Sequence, residues 1–465
     1  MKDTNAVKST SLFELDGNPS LGRALPISLQ HLLAMVVGNT LPAIVVANTL
    51  GDRISPQTGV YLIQAAMFIA AITTFLQVYT LGPIGARLPV IMGVSFAYIP
   101  VIQSIAATDA GLPGILGAQI VGGIVAIFVG LVIGKIRRFF PPMVAGTVVI
   151  TIGLGLYSVA LNYMAGGGNP EINPNYGSFA NWGIAFLTLA IVLICNMYAK
   201  GIIKLAAILI GIVVGYIVAV ALGMVNFDGV ANAAWFTLPK FMPAVAAIDG
   251  GGLVFPGSAV ATMVIMYIVN SVQAVGDLSS TTIGGLDREP TDKELSGGIM
   301  ANGVGSIIGA LIGGLPTATY SQNVGIVAMT KVVSLKVFKI TALIILIAGF
   351  IPKFGAIMLS IPQAIIGGAT VSVFAQITMS GMRLITSDEM SVRNTTIVGL
   401  GIALGMGVTS ISEAAFASFP DWFNMVFTSS PVILATIVVF FLNLILPKKS
   451  IAEEQAEREA MEQGE

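Results

Sequence analysis

The sequence predicts an all-α polytopic membrane protein with about 14 transmembrane segments, arranged as two inverted repeats of seven. Three observations predict this class. Of the 465 residues, 55% are hydrophobic and only 10% are charged, whereas soluble domains carry about 25% charged residues. Long apolar runs alternate with short polar loops, as membrane crossings of about 20 residues require. Two runs are short and open with Leu88-Pro89 and Leu315-Pro316, which predicts broken helices.

The apolar runs set the segments and their orientation. An even number of crossings places both termini on one side of the membrane. Of the 22 Lys and Arg residues, all but Arg53, Lys240 and Lys353 fall on that side, so the positive-inside rule predicts cytoplasmic termini. The predicted segments span 26–50, 58–79, 89–105, 112–134, 141–164, 179–199, 203–225, 257–283, 295–314, 318–330, 337–358, 361–382, 394–412 and 428–447.

Weak self-similarity relates the two halves. The Leu-Pro pairs that open segments 3 and 10 occupy corresponding positions, and the proline at Pro142 has a counterpart at Pro362. Because seven is an odd number of crossings, the second copy enters the membrane from the opposite face. We therefore expect short extended stretches in segments 3 and 10 that pair with each other, followed by half-helices that point at each other.

The stretch 315–331 predicts the functional site. It begins with a proline, continues through small and polar residues and then recovers only about two apolar helical turns. Irregular backbone at membrane depth survives only where protein buries it or where it lines a cavity. A half-helix that starts near Asn323 would direct free N–H groups and a positive dipole end into that cavity. Tyr320, Ser321 and Gln322 would lie beside it, as at a small-solute site near the membrane midplane.

Ionisable and amide side chains inside apolar segments are costly and therefore informative. Asp277 in segment 8 is expected to respond to a coupling ion, or else to serve as a structural partner of a nearby hydroxyl. Gln273 lies one helical turn earlier on the same face and is interpreted as a substrate ligand, with a helix–helix hydrogen bond as the alternative. His31, the single histidine, is expected to be a packed structural residue.

Gln322 gives the most specific expectation about substrate. Its amide has two donors and an acceptor, so it can pair with a ring edge that offers an N–H beside a C=O, as an oxopurine does. Phe96 and Tyr320 would stack on the ring, with apolar packing as an equal alternative for each. Ser95 and Ser321 would contribute backbone hydrogen bonds to the substrate. Asn323 is expected to stabilise the turn between strand and helix.

At these residues the chain resembles the nucleobase/ascorbate transporter family. The family signature matches Gln322-Asn323-Val-Gly325 followed by Thr330-Lys331, and the resemblance extends to Gln30-His31, Ser95-Phe96-Ala97-Tyr98 and Ala274-Val-Gly-Asp277. It implies a core domain, a gate domain, an elevator-like movement and commonly a homodimer. The implied core is 26–134 and 257–358, and the gate is 135–256 and 359–447, between a cytoplasmic N-terminal segment (1–25) and a cytoplasmic tail (448–465).

Within that family, glutamine at position 322 resembles xanthine and urate carriers, whereas uracil carriers have glutamate there. Most members have a glutamate where this chain has Gln273, and many have an aspartate where it has Asn302. Those carboxylates are candidate proton sites in the family. The coupling cation, H+ or Na+, therefore stays open.

The expected function is import of a purine base, xanthine or urate, across the bacterial inner membrane by cation symport, in contact with membrane lipid. The alternatives are a permease for uracil, another pyrimidine or another purine, and an anion transporter that shares the fold. One His and one Cys without clustered intramembrane carboxylates give no support to an enzyme, a metal site or a cofactor. A net charge of −1 gives none to nucleic acid binding, and a non-transporting sensor stays a minor alternative.

Overall fold

The computed structural model describes residues 11–136, 139–168, 173–240, 252–428 and 430–462. Parts of the predicted N-terminal segment 1–25 and of the predicted tail 448–465 therefore lie outside the described residues. Seven described helices are long and apolar enough to cross a membrane, and an eighth span results when one bent pair is counted as a single span. The all-α polytopic class predicted from the sequence is confirmed.

The helices follow the predicted segments. In the first half they are α1 (Leu21–Leu50), α2 (Pro56–Tyr79), α3 (Ile99–Ala107), α4 (Gly111–Ile136), α5 (Pro142–Gly155), α6 (Tyr157–Met164), α7 (Phe179–Tyr198), α8 (Ile202–Leu205), α9 (Ala207–Ala221) and α10 (Asp228–Asn232). In the second half they are α11 (Gly257–Leu286), α12 (Asp292–Leu311), α13 (Ser321–Thr330), α14 (Leu335–Gly349), α15 (Pro352–Leu359), α16 (Gln363–Ile385), α17 (Val392–Val408), α18 (Asp421–Phe427), α19 (Pro431–Ile445) and α20 (Ile451–Glu462).

Predicted segment 337–358 is two helices rather than one. The axes of α14 and α15 meet at 78°. Ile351 is extended (φ −109°, ψ 90°) and Pro352 opens α15. A proline disfavours helical geometry in the residue before it, so the bend occurs at this point of the chain.

Two short strands interrupt segments 3 and 10. Strand β1 (Met92–Val94) pairs antiparallel with β2 (Thr317–Thr319), with Gly93 opposite Ala318 at the centre. One further hydrogen bond extends the pair at each end, from Ser95 N to Pro316 O and from Tyr320 N to Ile91 O, both 3.1 Å. This local twofold arrangement is the geometry expected where inverted repeats meet. The predicted extended stretches and their pairing are confirmed.

The chain forms two compact units. One comprises Met1–Gly134 and Ser158–Val373, and the other comprises Lys135–Tyr157 and Phe374–Glu465. The strand pair belongs to the first unit. The division into core and gate domains at 26–134, 135–256, 257–358 and 359–447 stays a prediction.

Polar segments at the ends of helices are also ordered. Residues before α1 contact the loop after α13, where Leu12 O accepts the N–H groups of Val333 and Ser334 at 3.0 and 3.1 Å. The predicted capping box is confirmed, since Thr291 and Glu294 bond each other's backbone at the start of α12. Hydrogen bonding to Glu294 also raises the pKa of the nearby Arg288 guanidinium.

Candidate functional site

The candidate site is built around the junction between β2 and α13. Tyr320, with extended backbone (φ −95°, ψ 102°), precedes the first residue of α13. The first N–H groups of a helix have no partner within the helix, so this end of α13 offers free donors. Gln322 is half-buried here, and its amide makes no hydrogen bond to any side chain or backbone group in the described part of the chain. The junction therefore presents an unengaged amide beside a helix N-terminus.

Asp277 joins this junction to α11. Its buried carboxylate accepts a 2.5 Å hydrogen bond from Thr319 Oγ1 and a 2.7 Å hydrogen bond from Ser321 Oγ. Gln273, one turn earlier on α11, is half-buried and accepts a long 3.5 Å contact from Asn270 Nδ2. The structure thus brings Gln273, Asp277 and Ser321 together, and Asp277 holds both the end of β2 and the start of α13.

A hydrogen-bonded series of neutral side chains on α11 and α12 also supports β2. Asn302, on α12, donates from Nδ2 to Asn270 Oδ1 at 2.8 Å, and its Oδ1 accepts from Thr317 Oγ1 at 2.7 Å. The Thr317 hydroxyl also lies 3.1 Å from Ser306 Oγ, and Thr317 N donates to the same oxygen. Both ends of the Asn302 amide are engaged, so its contacts fix the strand.

His31 and Asn323 link α1 to α13. Asn323 Nδ2 donates to His31 O and approaches His31 Nδ1, both at 3.0 Å. An amide nitrogen only donates, so the contact with Nδ1 is a hydrogen bond in the tautomer of His31 that is protonated at Nε2. The ring also packs against Phe338 with centroids 4.7 Å apart. These contacts support the structural role expected for His31 and the turn-stabilising role expected for Asn323.

Tyr320 lies inside the strand pair. Its hydroxyl donates to Val94 O at 2.6 Å. Its ring passes between two glycines, since a Cβ atom added at Gly93 would lie 2.5 Å from ring Cε2 and one added at Gly38 would lie 3.1 Å from Cε1. This placement favours a supporting role for Tyr320 over stacking on a substrate.

Ser95 and Phe96 follow β1, at the position that mirrors Tyr320 and Ser321. Ser95 Oγ accepts the N–H of Ala97 at 3.1 Å and caps a 3-10 turn. Its own N–H is engaged with Pro316 O, so the backbone bond expected toward substrate is used within the strand pair. The side chain of Phe96 is buried. Of the site residues predicted from the sequence, Gln322 keeps the most hydrogen-bonding capacity.

Buried polar residues on α1 and α2, which the sequence reasoning missed, anchor β1. Asn39 accepts the N–H of Val94 at 2.8 Å and donates to Ala66 O at 3.0 Å. Thr74 Oγ1 accepts the N–H of Met92 at 3.0 Å. Both residues are polar side chains within apolar helices, and this was the signal in the sequence that could have identified them. No group of three or more His, Cys, Asp and Glu side chains placed to hold a metal ion occurs within the described ranges.

A family model described as a permease family matches residues 22–414. The chain belongs to this family, the nucleobase/ascorbate transporter family. The permease is 30% identical over 460 residues to the xanthine permease XanQ of Escherichia coli K12, covering 96% of each chain. It is 32% identical over 437 residues to the uric acid transporter UacT of the same organism, covering 93% of this chain and 87% of that one.

A solved structure has the same fold. The transmembrane domain of the cyanobacterial bicarbonate transporter BicA matches with a TM-score of 0.56 and 17% identity, covering 90% of the permease and 97% of that domain. At this identity the likeness shows the fold alone. Family membership and the apolar helices together make the protein an integral membrane transporter rather than an enzyme.

Proposed function

We infer that the permease imports a purine base, xanthine or urate, across the bacterial cytoplasmic membrane by symport with a cation, H+ or Na+. The observation that carries this proposal is the unengaged amide of Gln322 at the end of the strand pair. The names of XanQ and UacT support the same substrate class.

The chemistry of an amide suits an oxopurine edge. A carboxylate only accepts hydrogen bonds, whereas the Gln322 amide donates and accepts side by side. It therefore pairs with a ring N–H and the neighbouring C=O at the same time. Gln273 offers a second half-buried amide beside the junction, and stacking of the ring on Phe96 stays a prediction. The N–H groups at the start of α13 favour a substrate with negative charge.

The remaining expectations from the sequence stay part of the proposal. Both termini are placed in the cytoplasm by the distribution of basic residues. The core and gate domains move as an elevator, and the protein is a homodimer, as the family resemblance implies. Asp277 is proposed to respond to the coupling cation, because its carboxylate accepts hydrogen bonds from both β2 and α13.

Uptake of labelled xanthine into cells that express the permease tests this function. We expect unlabelled urate to block uptake and uracil to leave it unchanged, and either a protonophore or removal of sodium to abolish it. Absence of xanthine uptake despite surface expression, or a block by uracil alone, would overturn the proposed substrate class.

Gln322→Glu tests the residue that carries the proposal. Replacement of the donor NH2 by an acceptor oxygen should weaken xanthine and urate uptake and improve the relative handling of uracil. Gln455→Glu is the matched control, because Gln455 is exposed on α20. If Gln322→Glu keeps the selectivity of the parent at equal surface expression, Gln322 does not recognise the substrate.

A further inference from the structure

A cavity of about 770 Å³ opens at the far end of α1, away from the strand pair. Its polar lining consists of Asn48, Asp52, Arg53, Ser55, Asn226 and Ser360, and its other walls are formed mainly by small and aliphatic residues. Asn39, which bonds β1, and Gly51, at the cavity, are twelve residues apart along α1. At 1.5 Å per residue this places the cavity about 18 Å from the strand pair. On the proposed topology, the cavity faces the outside.

Arg53 is the charged donor of this cavity. One guanidinium nitrogen, Nη1, donates to Thr108 O at 3.0 Å. A guanidinium has five N–H donors, and Arg53 is exposed, so most of its donors face the opening. The other two basic residues on the predicted outer side are engaged differently. Lys353 donates to Val230 O at 2.9 Å, and the Lys240 Nζ lies 5.9 Å from the centre of the Tyr61 ring.

Asp52, next to Arg53 in the 3-10 turn Gly51–Arg53, adds a hydrogen-bond acceptor to the cavity. Its carboxylate repels every anion, urate as well as phosphate, but it accepts a ring N–H, which a urate ring offers. A urate monoanion offers carbonyl oxygens and delocalised negative charge beside N–H groups, so it can face Arg53 and Asp52 together. The Ser360 hydroxyl is engaged with Tyr216 and with Ile357 O, and Asn226 Oδ1 accepts the N–H of Asp228, so Arg53 and Asp52 are the principal groups for a ligand.

We propose that this cavity is a second, outer binding site for anionic oxopurines, in which Arg53 receives the charged edge of the ring before the base reaches Gln322. The proposal rests on the proposed function for the chemistry of its ligand. The site adds to the specificity of the permease, because it favours anionic purines such as urate over neutral ones such as hypoxanthine. Its contribution weakens with ionic strength, because the pair between Arg53 and the ligand is exposed.

The kinetic test compares uptake of labelled urate and hypoxanthine by the parent and by Arg53→Gln. We expect the KM for urate to rise about two- to fivefold, the effect of one exposed charge pair, and the KM for hypoxanthine to stay constant. Choline chloride added at constant sodium should raise the urate KM of the parent and have little effect on Arg53→Gln. Arg53→Lys should restore part of the urate affinity, and Lys353→Gln, the same charge change outside the cavity, should behave as the parent.

A binding measurement separates this proposal from the proposed function. Labelled urate is equilibrated with purified Gln322→Ala protein that elutes as a folded species. We expect weak, salt-sensitive binding that unlabelled urate displaces, that phosphate does not displace, and that Arg53→Gln weakens about two- to fivefold. No residual binding, binding indifferent to Arg53→Gln, or equal KM increases for both purines would overturn the outer site. Failure of the parent to transport any purine would instead overturn the proposed function.

Discussion

Removal of the Ser321 hydroxyl tests whether Asp277 holds Gln322 in place. The two oxygens of the Asp277 carboxylate each accept one hydroxyl, from Thr319 at 2.5 Å and from Ser321 at 2.7 Å. A hydrogen bond to a charged group contributes about 1.5–3 kcal/mol, which corresponds to a factor of about 10 to 150 in affinity. Ser321→Ala removes one bond and leaves the other. We therefore expect the KM for the purine substrate to rise about tenfold, the lower end of that range.

The assay is concentration-dependent purine uptake at matched surface expression, together with the melting temperature of the purified protein. Ser280→Ala is the control, because Ser280 is an exposed serine on α11, the helix that carries Asp277. Asp277→Asn and the double variant complete a cycle, and the two changes should be non-additive because both alter the same hydrogen-bonded pair. A parental KM and melting temperature in Ser321→Ala would show that the bond to Asp277 does not position Gln322.

Two further predictions concern the strand pair. Gly93→Ala should prevent folding to the native state or lower the melting temperature strongly, because its Cβ would lie 2.5 Å from Tyr320 Cε2 and 2.6 Å from Asn39 Oδ1. The control Gly325→Ala, which has open space around the new Cβ, should melt as the parent does. Equal melting temperatures of the two variants would contradict the packing around Gly93. Asn39→Ala should destabilise the protein by about 1–3 kcal/mol, because the buried N–H of Val94 loses its acceptor; an unchanged melting temperature would refute this.

The strand pair was predictable because its signals are local. Pro316 and the small polar residues after it interrupt an apolar run, and the same interruption occurs after Pro89. Unsatisfied backbone is too costly in hydrocarbon to leave unpaired, so two such interruptions in corresponding positions predict mutual pairing. The register between Gly93 and Ala318 was not predictable, because it depends on side chains of other helices that hold each strand.

The role of Tyr320 shows what sequence reasoning could not reach. An aromatic residue beside a predicted cavity suggests stacking, and the segment 315–331 contains nothing against that interpretation. The room for its ring comes from Gly38 on α1 and Gly93 on β1, both more than two hundred residues away in the chain. Asn39 was missed for the same reason, since its acceptor and donor partners, Ala66 O and Val94 N, become neighbours only in the folded protein.

The hydrogen-bonded chain of neutral groups through Asn302 bears on the proposed cation coupling. A carboxylate at position 302 would place an oxygen against Asn270 Oδ1, where the Asn302 amide now donates, so the surroundings suit a fixed amide. Asp277 differs, because both of its oxygens accept hydroxyls. We propose that a cation or proton at Asp277 competes with the Ser321 hydroxyl and thereby shifts the start of α13, where Gln322 lies. On the proposed symport, Asp277 would link ion occupancy to substrate recognition.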